Sequence, residues 1–499
     1  MVNLLLIDPP WFVFQNIPSS RVSYGLASLA AVLRQGGHKC IIYNGDFGLL
    51  KPPYSQEGTL INFERYRENL KDDSLFWRKT RENLKNIIVD STPLIVGITM
   101  PTAKYEIGVR IARWIKKEFP KIIITVGGPH PSIQPLETIK EESIDIVVKG
   151  EGEMTFLELV NAFEQKKDIK GILGITGKNG SEVFDNPDRE YITELDNLPF
   201  PAWDLVYDFK KHNPLDFGTV FTSRGCPYKC SFCASFKIWS RKARYMSADR
   251  VVDELRYTRD KFKVNYFHFN DDTLILDQKR VIEICEKIKN RDININWQCE
   301  VRADLCTSHL LKTIKSAGCL LVNIGVESGN EEILKSIEKG ITLEQIYRAF
   351  QEIKKAKLRV LAYFMVGFPN ETIDTIKDTI KLMRKIKPNY PCWSIVMPYP
   401  GTKLYNDAYQ KRLIPDKIEW SYCFHHLSAI YLSKNIPYDK FLLIIREIEE
   451  ECHKIKVKES IKTAIFLLFF HPVKLVKKIG RLCLDFCNVQ ISKERPFVN

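Results

Sequence analysis

Short apolar runs recur along most of this chain, and stretches with helical spacing separate them. Leu4-Leu5-Leu6-Ile7-Asp8 is closed by Pro9-Pro10, and Leu26 to Leu33 repeats every three to four residues until Gly36-Gly37 stops it. Cys40 to Tyr43, Leu94 to Thr99, Ile122 to Val126 and Ile144 to Val148 are further strands, with an amphipathic helix over Ile107 to Phe119. Residues 50–90 are polar, charged and aromatic and predict an insertion followed by a helix. Near-continuous apolar strands alternating with helices predict a parallel sheet covered on both faces. Five of them over residues 1–185 predict an α/β domain of flavodoxin-like, doubly wound type, with ligands at the carboxyl ends of the strands. Those ends carry Pro9-Pro10, Thr99 to Thr102, Gly127-Gly128-Pro129-His130 and Gly150-Glu151-Gly152-Glu153. Ordinary turns use the same residues singly. Four such loops on one edge, clear of large side chains, favour a ligand close to the backbone.

Residues 186–217 lose the alternation; Pro199 and Pro201 within Asn197 to Asp204 read as a connector. It returns from 218 to 405 as six strands: Gly218–Thr222, Tyr266–Asp272, Ile295–Val301, Leu320–Glu327, Val360–Gly367 and Trp393–Met397. Six β/α units in this length predict a partial (β/α)6 barrel, whose chemistry belongs at the strands' carboxyl ends. Residues 406–499 read as mainly helical and rich in Lys and Ile.

The 499 residues are 44% apolar and 27% charged, as in a protein that buries large cores. The first residues enter a strand without a basic or long apolar leader, and no apolar run reaches the length of a membrane span. Thirteen cysteines in such a chain point to a reducing, cytoplasmic setting with thiols used for metal. The net charge is +13, and Cys452 to Arg481 alone contributes +7 through Lys454, Lys456, Lys458, Lys462, Lys474, Lys477, Lys478 and Arg481 against Glu459. This stretch encloses Ala464 to Phe470, followed by Pro472. Basic flanks around an aromatic-rich run suit a helix lying on a membrane surface; a helix packed on the barrel with its lysines in water suits the same pattern. The charge lies in the tail with no basic-aromatic platform, which argues against a nucleic-acid partner. Cys483 and Cys487 would share a helix face, a weak candidate for a second metal site.

The sharpest chemistry is Cys226-Pro227-Tyr228-Lys229-Cys230-Ser231-Phe232-Cys233, just after the first barrel strand and the turn Ser223-Arg224-Gly225. Three thiols at this spacing can aim at one point. A four-iron cluster normally takes four thiolates, so three leave one iron open. A structural zinc site wants four ligands, and His212 and His268 lie outside the loop at no finger-like spacing. The remaining cysteines are scattered, unlike a disulfide framework. CxxxCxxC after a strand resembles the signature of radical S-adenosylmethionine (SAM) enzymes. The upstream half resembles the cobalamin-binding domain of their cobalamin-dependent branch, including its magnesium-protoporphyrin cyclase and methyltransferase-type members. The pieces that carry this are Ile7-Asp8-Pro9-Pro10, Tyr24 to Ala30, Gly127-Gly128-Pro129-His130, Lys149 to Glu153, the Pro-Phe-Pro-Ala-Trp connector and Tyr399 to Tyr405, so the likeness spans residues 1–405.

The resemblance implies a [4Fe-4S] cluster on Cys226, Cys230 and Cys233. It implies SAM held by Asp271, Asp272, Arg302, Glu327, Ser328, Gly367 and Glu371, with Phe232 on the adenine. Cobalamin would rest on Pro9, Pro10, Thr99, Thr102, Gly127, Gly128, Pro129, His130, Gly150, Glu151 and Gly152. No Asp-x-His-x-x-Gly occurs, which implies a corrinoid without a histidine ligand; His130 reads better as a polar contact than as a cobalt ligand. The implied chemistry is hydrogen abstraction by a 5′-deoxyadenosyl radical and methylation of an unactivated carbon or a phosphinate. Radical ring formation or rearrangement without methyl transfer is the alternative, and a non-catalytic corrinoid or cluster sensor is the alternative of another class. Methylthiolation needs a second cysteine triad upstream, and the first 225 residues contain only Cys40. A small-molecule or lipid substrate and an electron donor such as flavodoxin or ferredoxin complete the expectation.

Overall fold

The computed structural model describes residues 1–12, 20–48, 66–180, 182–420 and 430–470, with side chains to residue 462. The N-terminal strands are β1 (Asn3–Asp8), β2 (Lys39–Asn44), β3 (Ile95–Thr99), β4 (Ile123–Gly127), β5 (Ile146–Val148), β6 (Ile175–Asn179) and β7 (Glu182–Asp185). They form one sheet in the order β2-β1-β3-β4-β5-β6-β7. Its first five strands are parallel, in the flavodoxin-like order. The antiparallel edge hairpin β6–β7 adds to the expected five strands. Its Asn179-Gly180 pair is a hairpin signal, with Gly180 at φ +63°.

Residues 186–217 are short 3-10 turns. Trp203 is buried there against Tyr24 and Phe217. The second half begins with β8 (Thr219–Val220), β9 (Ser223–Arg224) and β10 (Arg244–Tyr245), followed by β11 (Tyr266–Phe269), β12 (Asn296–Val301), β13 (Cys319–Glu327), β14 (Arg359–Val366) and β15 (Tyr390–Ile395). Strands β8 and β11–β15 form a six-stranded parallel sheet in chain order, the expected partial barrel. The first strand is shorter than its apolar run. After Val220 the chain leaves the sheet, and β9 pairs antiparallel with β10 instead.

The packing follows the sequence periods. Helix Leu343–Lys355 buries Ile346, Ala349, Phe350 and Ile353, one stripe at i, i+3, i+4 and i+7, and Thr342 with Gln345 closes its N-terminus as a capping box. Strand β14 alternates buried and half-buried residues, so one face meets helices and the other stays open.

Helix Tyr438–Phe470 carries the expected helical C-terminal character. Glu451 pairs with Arg384, Cys452 meets Met383, and Glu459 accepts from Asn389. This part of the basic stretch packs on the barrel, while Lys454, Lys456, Lys458 and Lys462 face solvent. No helix among the described residues is long and apolar enough to cross a membrane. The side chains of 464–470, Pro472, Lys474, Lys477, Lys478, Arg481, Cys483 and Cys487 lie outside the described residues.

Candidate functional site

The carboxyl ends of the two sheets face one cavity of about 770 Å³. Its upper wall is Thr99, Thr102, Gly127, Gly128, Pro129, Gly150, Glu151 and Gly152, all expected at a cobalamin site. Gly128 and Gly150 have φ of +95° and +65°, and open space lies where a Gly150 Cβ would stand. Pro9, Pro10 and His130 are not in the wall. Pro9 and Pro10 are buried where the chain leaves β1, with Pro10 against Gly45. His130 is fully buried; its ring lies 4.1 Å from that of Tyr105 and 5.2 Å from that of Trp420. Burial lowers its pKa to about 3, so the ring is neutral, and its Nε2 has no hydrogen-bond partner. The wall also holds an unexpected pair, Lys104 and Asp8, joined at 2.5 Å.

The lower wall comes from the barrel mouth, including Ala234, Ser235, Ile238, Trp239, Asn270 and Asp272. The cysteine loop is fixed at several points. Gly225 has φ +97°, and a Cβ there would sit 2.6 Å from the Lys242 carbonyl oxygen, so only glycine fits. Ser231 donates its N–H to Ile337 and accepts from the Leu404 N–H. The three thiols are free and partly buried. Burial pushes Cys226 up and Cys233 to about 11, and the neighbouring loop cysteines add to both shifts. No three His, Cys, Asp or Glu side chains stand in metal-holding geometry among the described residues. The donor set itself, three unpaired thiols on one pinned loop, fits a cluster with one open iron.

The expected SAM residues divide sharply. Asp272 opens on the cavity, and its carboxylate accepts from Ser235 Oγ at 2.5 Å. The concave wall raises its pKa by desolvation despite its access to solvent. Phe232 lies 6.2 Å from Phe368, which joins the cysteine loop to the end of β14. The others are engaged internally. Asp271 is buried, and its Oδ1 accepts from Thr222 N, Thr222 Oγ1 and Ser223 Oγ. Arg302 donates to the carbonyls of Lys339 and Gly340 and stacks 3.7 Å over Tyr228 of the cysteine loop. Glu327 pairs with Lys339 at 2.7 Å. Ser328 lies against Thr379 and accepts from Asn330. The Glu371 carboxylate accepts from the N–H groups of Gly367 and Phe368.

Two groups escaped the sequence reading. Arg224, Arg244, Glu151 and Glu153 form a buried ion network across the two sheets. On the barrel face turned away from the helices, Arg21 donates to His268 Nδ1 at 3.0 Å, and His268 Nε2 lies 3.1 Å from Glu300. Arg21 cannot accept, so Nδ1 is the acceptor and Nε2 carries the proton toward Glu300. Asn323 also donates to Glu300 at 2.7 Å, and Tyr363 lies close enough for Glu300 to raise its pKa beyond the effect of burial. The polar period-two positions of β11 and β12 were the signal: His268, Gln298 and Glu300 alternate with Phe267, Phe269, Trp297 and Cys299.

Family models match twice: the radical SAM superfamily over residues 220–383 and the B12 binding domain over residues 67–160. An uncharacterized methyltransferase of Pyrococcus horikoshii is 37% identical over 344 residues, covering 68% of this chain and 75% of that protein. The anaerobic magnesium-protoporphyrin IX monomethyl ester cyclase of Rubrivivax gelatinosus is 30% identical over 68% of this chain and 62% of its own. Among solved structures, the radical SAM methyltransferase TsrM of Kitasatospora setae superposes with a TM-score of 0.65 at 18% identity, covering 82% of this chain and 76% of that one; this shows the fold. The chain belongs to the cobalamin-dependent radical SAM family. Its cofactors are a [4Fe-4S] cluster, SAM and cobalamin.

Proposed function

We propose that this enzyme methylates an unactivated carbon, or a phosphinate, of a small molecule held between the two sheets. The observation that carries the reading is the shared cavity: glycine loops of a B12-binding sheet form one wall, and the surroundings of a three-cysteine loop form the other. Cys226, Cys230 and Cys233 would hold the cluster, and Asp272 and Phe232 would meet SAM. The loops at Thr99, Gly128 and Gly150 would carry the corrinoid. Bound there, SAM and the cluster supply a 5′-deoxyadenosyl radical for hydrogen abstraction, and cobalamin carries the methyl group. The chain's own work is to orient these groups and keep water away. The polar layer of Arg21, His268, Glu300 and Asn323 would hold a hydrogen-bonding group of the substrate, favouring a functionalised molecule over a plain hydrocarbon.

Anaerobic reconstitution with iron, sulfide, hydroxocobalamin and SAM, reduced by a flavodoxin or ferredoxin, tests this. The expected result is retained corrinoid, 5′-deoxyadenosine, and substrate gaining one methyl group by mass. Retention of no corrinoid would sink the reading. The likeness to the cyclase favours a second reading, ring formation, which would show as loss of hydrogens without added carbon.

A separable proposal concerns location: a cytoplasmic enzyme touching an anionic membrane surface through residues 452–481. The solvent-facing lysines of the described part support it. Cosedimentation with phosphatidylserine vesicles but not with phosphatidylcholine vesicles is expected; equal recovery with both would refute it.

A further inference from the structure

The network of Arg224, Arg244, Glu151 and Glu153 is unusual in place and in composition. Arg224 and Arg244 stand opposite each other across the β9–β10 ladder. Two like charges so paired repel unless an anion lies between them. Glu151 supplies it: its Oε1 is 3.0 Å from Arg224 and 2.9 Å from Arg244. The other Glu151 oxygen accepts from Arg244 and from the Ile192 N–H. Glu153 takes the second arm of Arg224 at 2.5 Å and accepts from Ser28 on the N-terminal sheet's first helix. All four side chains are more than nine-tenths buried.

The network's position gives it a role. Glu151 ends the glycine loop that walls the cavity from above, and Glu153 stands in the first turn of the helix Gly152–Glu164 that follows it. Arg224 is two residues before Cys226, and its guanidinium also lies over Trp239, which walls the cavity from below. Arg244 donates to the Trp239 carbonyl oxygen. The Arg244 guanidinium, bonded to Glu151 through one nitrogen and to the Trp239 carbonyl through another, fixes direction as well as distance, while Arg224 bonds to Glu153 and meets Glu151 as an ion pair. By contrast, the covalent path from Glu153 to Arg224 runs through some seventy residues, including the turns of 186–217.

We propose that Glu151, Glu153, Arg224 and Arg244 are positioning residues that set the separation between the corrinoid and the iron–sulfur cluster, by clamping the glycine loop of one sheet to the root of the cysteine loop of the other. This rests on the assignment of those two loops as the cofactor sites. The clamp takes no part in the chemistry. Its output is a single, narrow geometry of the two cofactors.

Pulsed electron paramagnetic resonance on reconstituted full-length enzyme, with cobalt(II) corrinoid and reduced cluster as the two spins, reads that geometry. Wild type is expected to give one narrow distance distribution. Glu153→Gln and Arg224→Lys, which weaken the two-armed contact while preserving size or charge, are expected to keep both cofactors and broaden the distribution about twofold. The exposed pair Arg34–Asp204 is the control, and Asp204→Asn leaves the distribution narrow. Distributions as narrow as wild type in both clamp variants overturn the inference while leaving the cofactor assignment intact. Wild type that holds no corrinoid or no cluster overturns the assignment and the inference together. Should Glu153→Gln fail to fold, Arg224→Lys carries the test. Hydrogen exchange at Gly150 to Gly152 in cofactor-free protein, expected to quicken in either variant, checks the clamp independently, and unchanged exchange counts against it.

Discussion

At the edge of the N-terminal sheet the strand-end loops bring small side chains and bare backbone to the cavity at Thr99, Gly127, Gly128, Gly150 and Gly152, among larger neighbours such as Lys104 and Phe156. At the barrel mouth the same structural position, the carboxyl end of a parallel strand, carries acids and an arginine that are mostly bonded to neighbouring segments of the barrel. Asp271 holds β8's exit, Arg302 holds the segment at Lys339 and Gly340, and Glu371 closes its own turn. One edge makes room and the other makes rigidity. A corrinoid is large and can be gripped by backbone over a wide area. A three-thiol loop must be held still, because an open iron is useful only at a fixed angle to what binds it.

The strongest way to break this contrast is to remove the thiols. Cys226→Ala, Cys230→Ala or Cys233→Ala is expected to lose the cluster, read as loss of iron and of 5′-deoxyadenosine, with corrinoid still retained. Deoxyadenosine formation surviving all three would refute the cluster site.

A second comparison sets the two edges against each other directly. Asp271→Ala strands three buried donors and is expected to cost about 3 kcal/mol. Gly150→Ala forces a left-handed alanine into open space and is expected to cost only about 1 kcal/mol, while weakening corrinoid uptake. Chemical denaturation of the cofactor-free proteins gives both numbers, and the reverse order would remove the distinction.

This division also explains what the sequence made legible. Apolar runs specify the strands, because a parallel strand buried on both faces is apolar throughout. Small residues at strand ends mark the spaces: eight of the eleven residues expected at cobalamin line the cavity. Charged residues at strand ends mark only importance. Nothing local to Asp271-Asp272 tells which carboxylate turns inward to Thr222 and Ser223 and which turns out to Ser235. The arginine–glutamate clamp pairs residues some seventy apart, and only the docked sheets bring them together.

Glu371 sharpens the rigid side of the comparison through pH. Burial raises its carboxyl to about 8, although the Gly367 and Phe368 N–H groups oppose this. The unfolded value is about 4.3. The folded chain therefore holds this proton more tightly. The stabilisation is full below pH 4.3 and is lost as pH rises through 8, with a slope of at most about 1.4 kcal/mol per pH unit. Glu371→Gln keeps an oxygen for both N–H groups and should flatten stability between pH 5 and 8. An unchanged slope would show that the carboxyl is ionised in the fold.

His130 tests the open side, with the smallest expected effect. It follows Gly127-Gly128-Pro129 and could be mistaken for a cobalt ligand, yet its ring lies below the cavity wall between Tyr105 and Trp420. Burial lowers its pKa to about 3, against about 6.5 unfolded. Its stabilising effect is therefore present above pH 6.5 and lost as pH falls toward 3. Phenylalanine leaves no ring nitrogen unpaired but is larger and gives up the Thr102 contact, so His130→Phe should cost about 1 kcal/mol at pH 7 and lose less stability than wild type on going to pH 5. The absorption and cobalt(II) resonance of bound corrinoid should not move. A change in either would place the imidazole on the metal, and the backbone-lined edge would then grip its cofactor through a side chain after all.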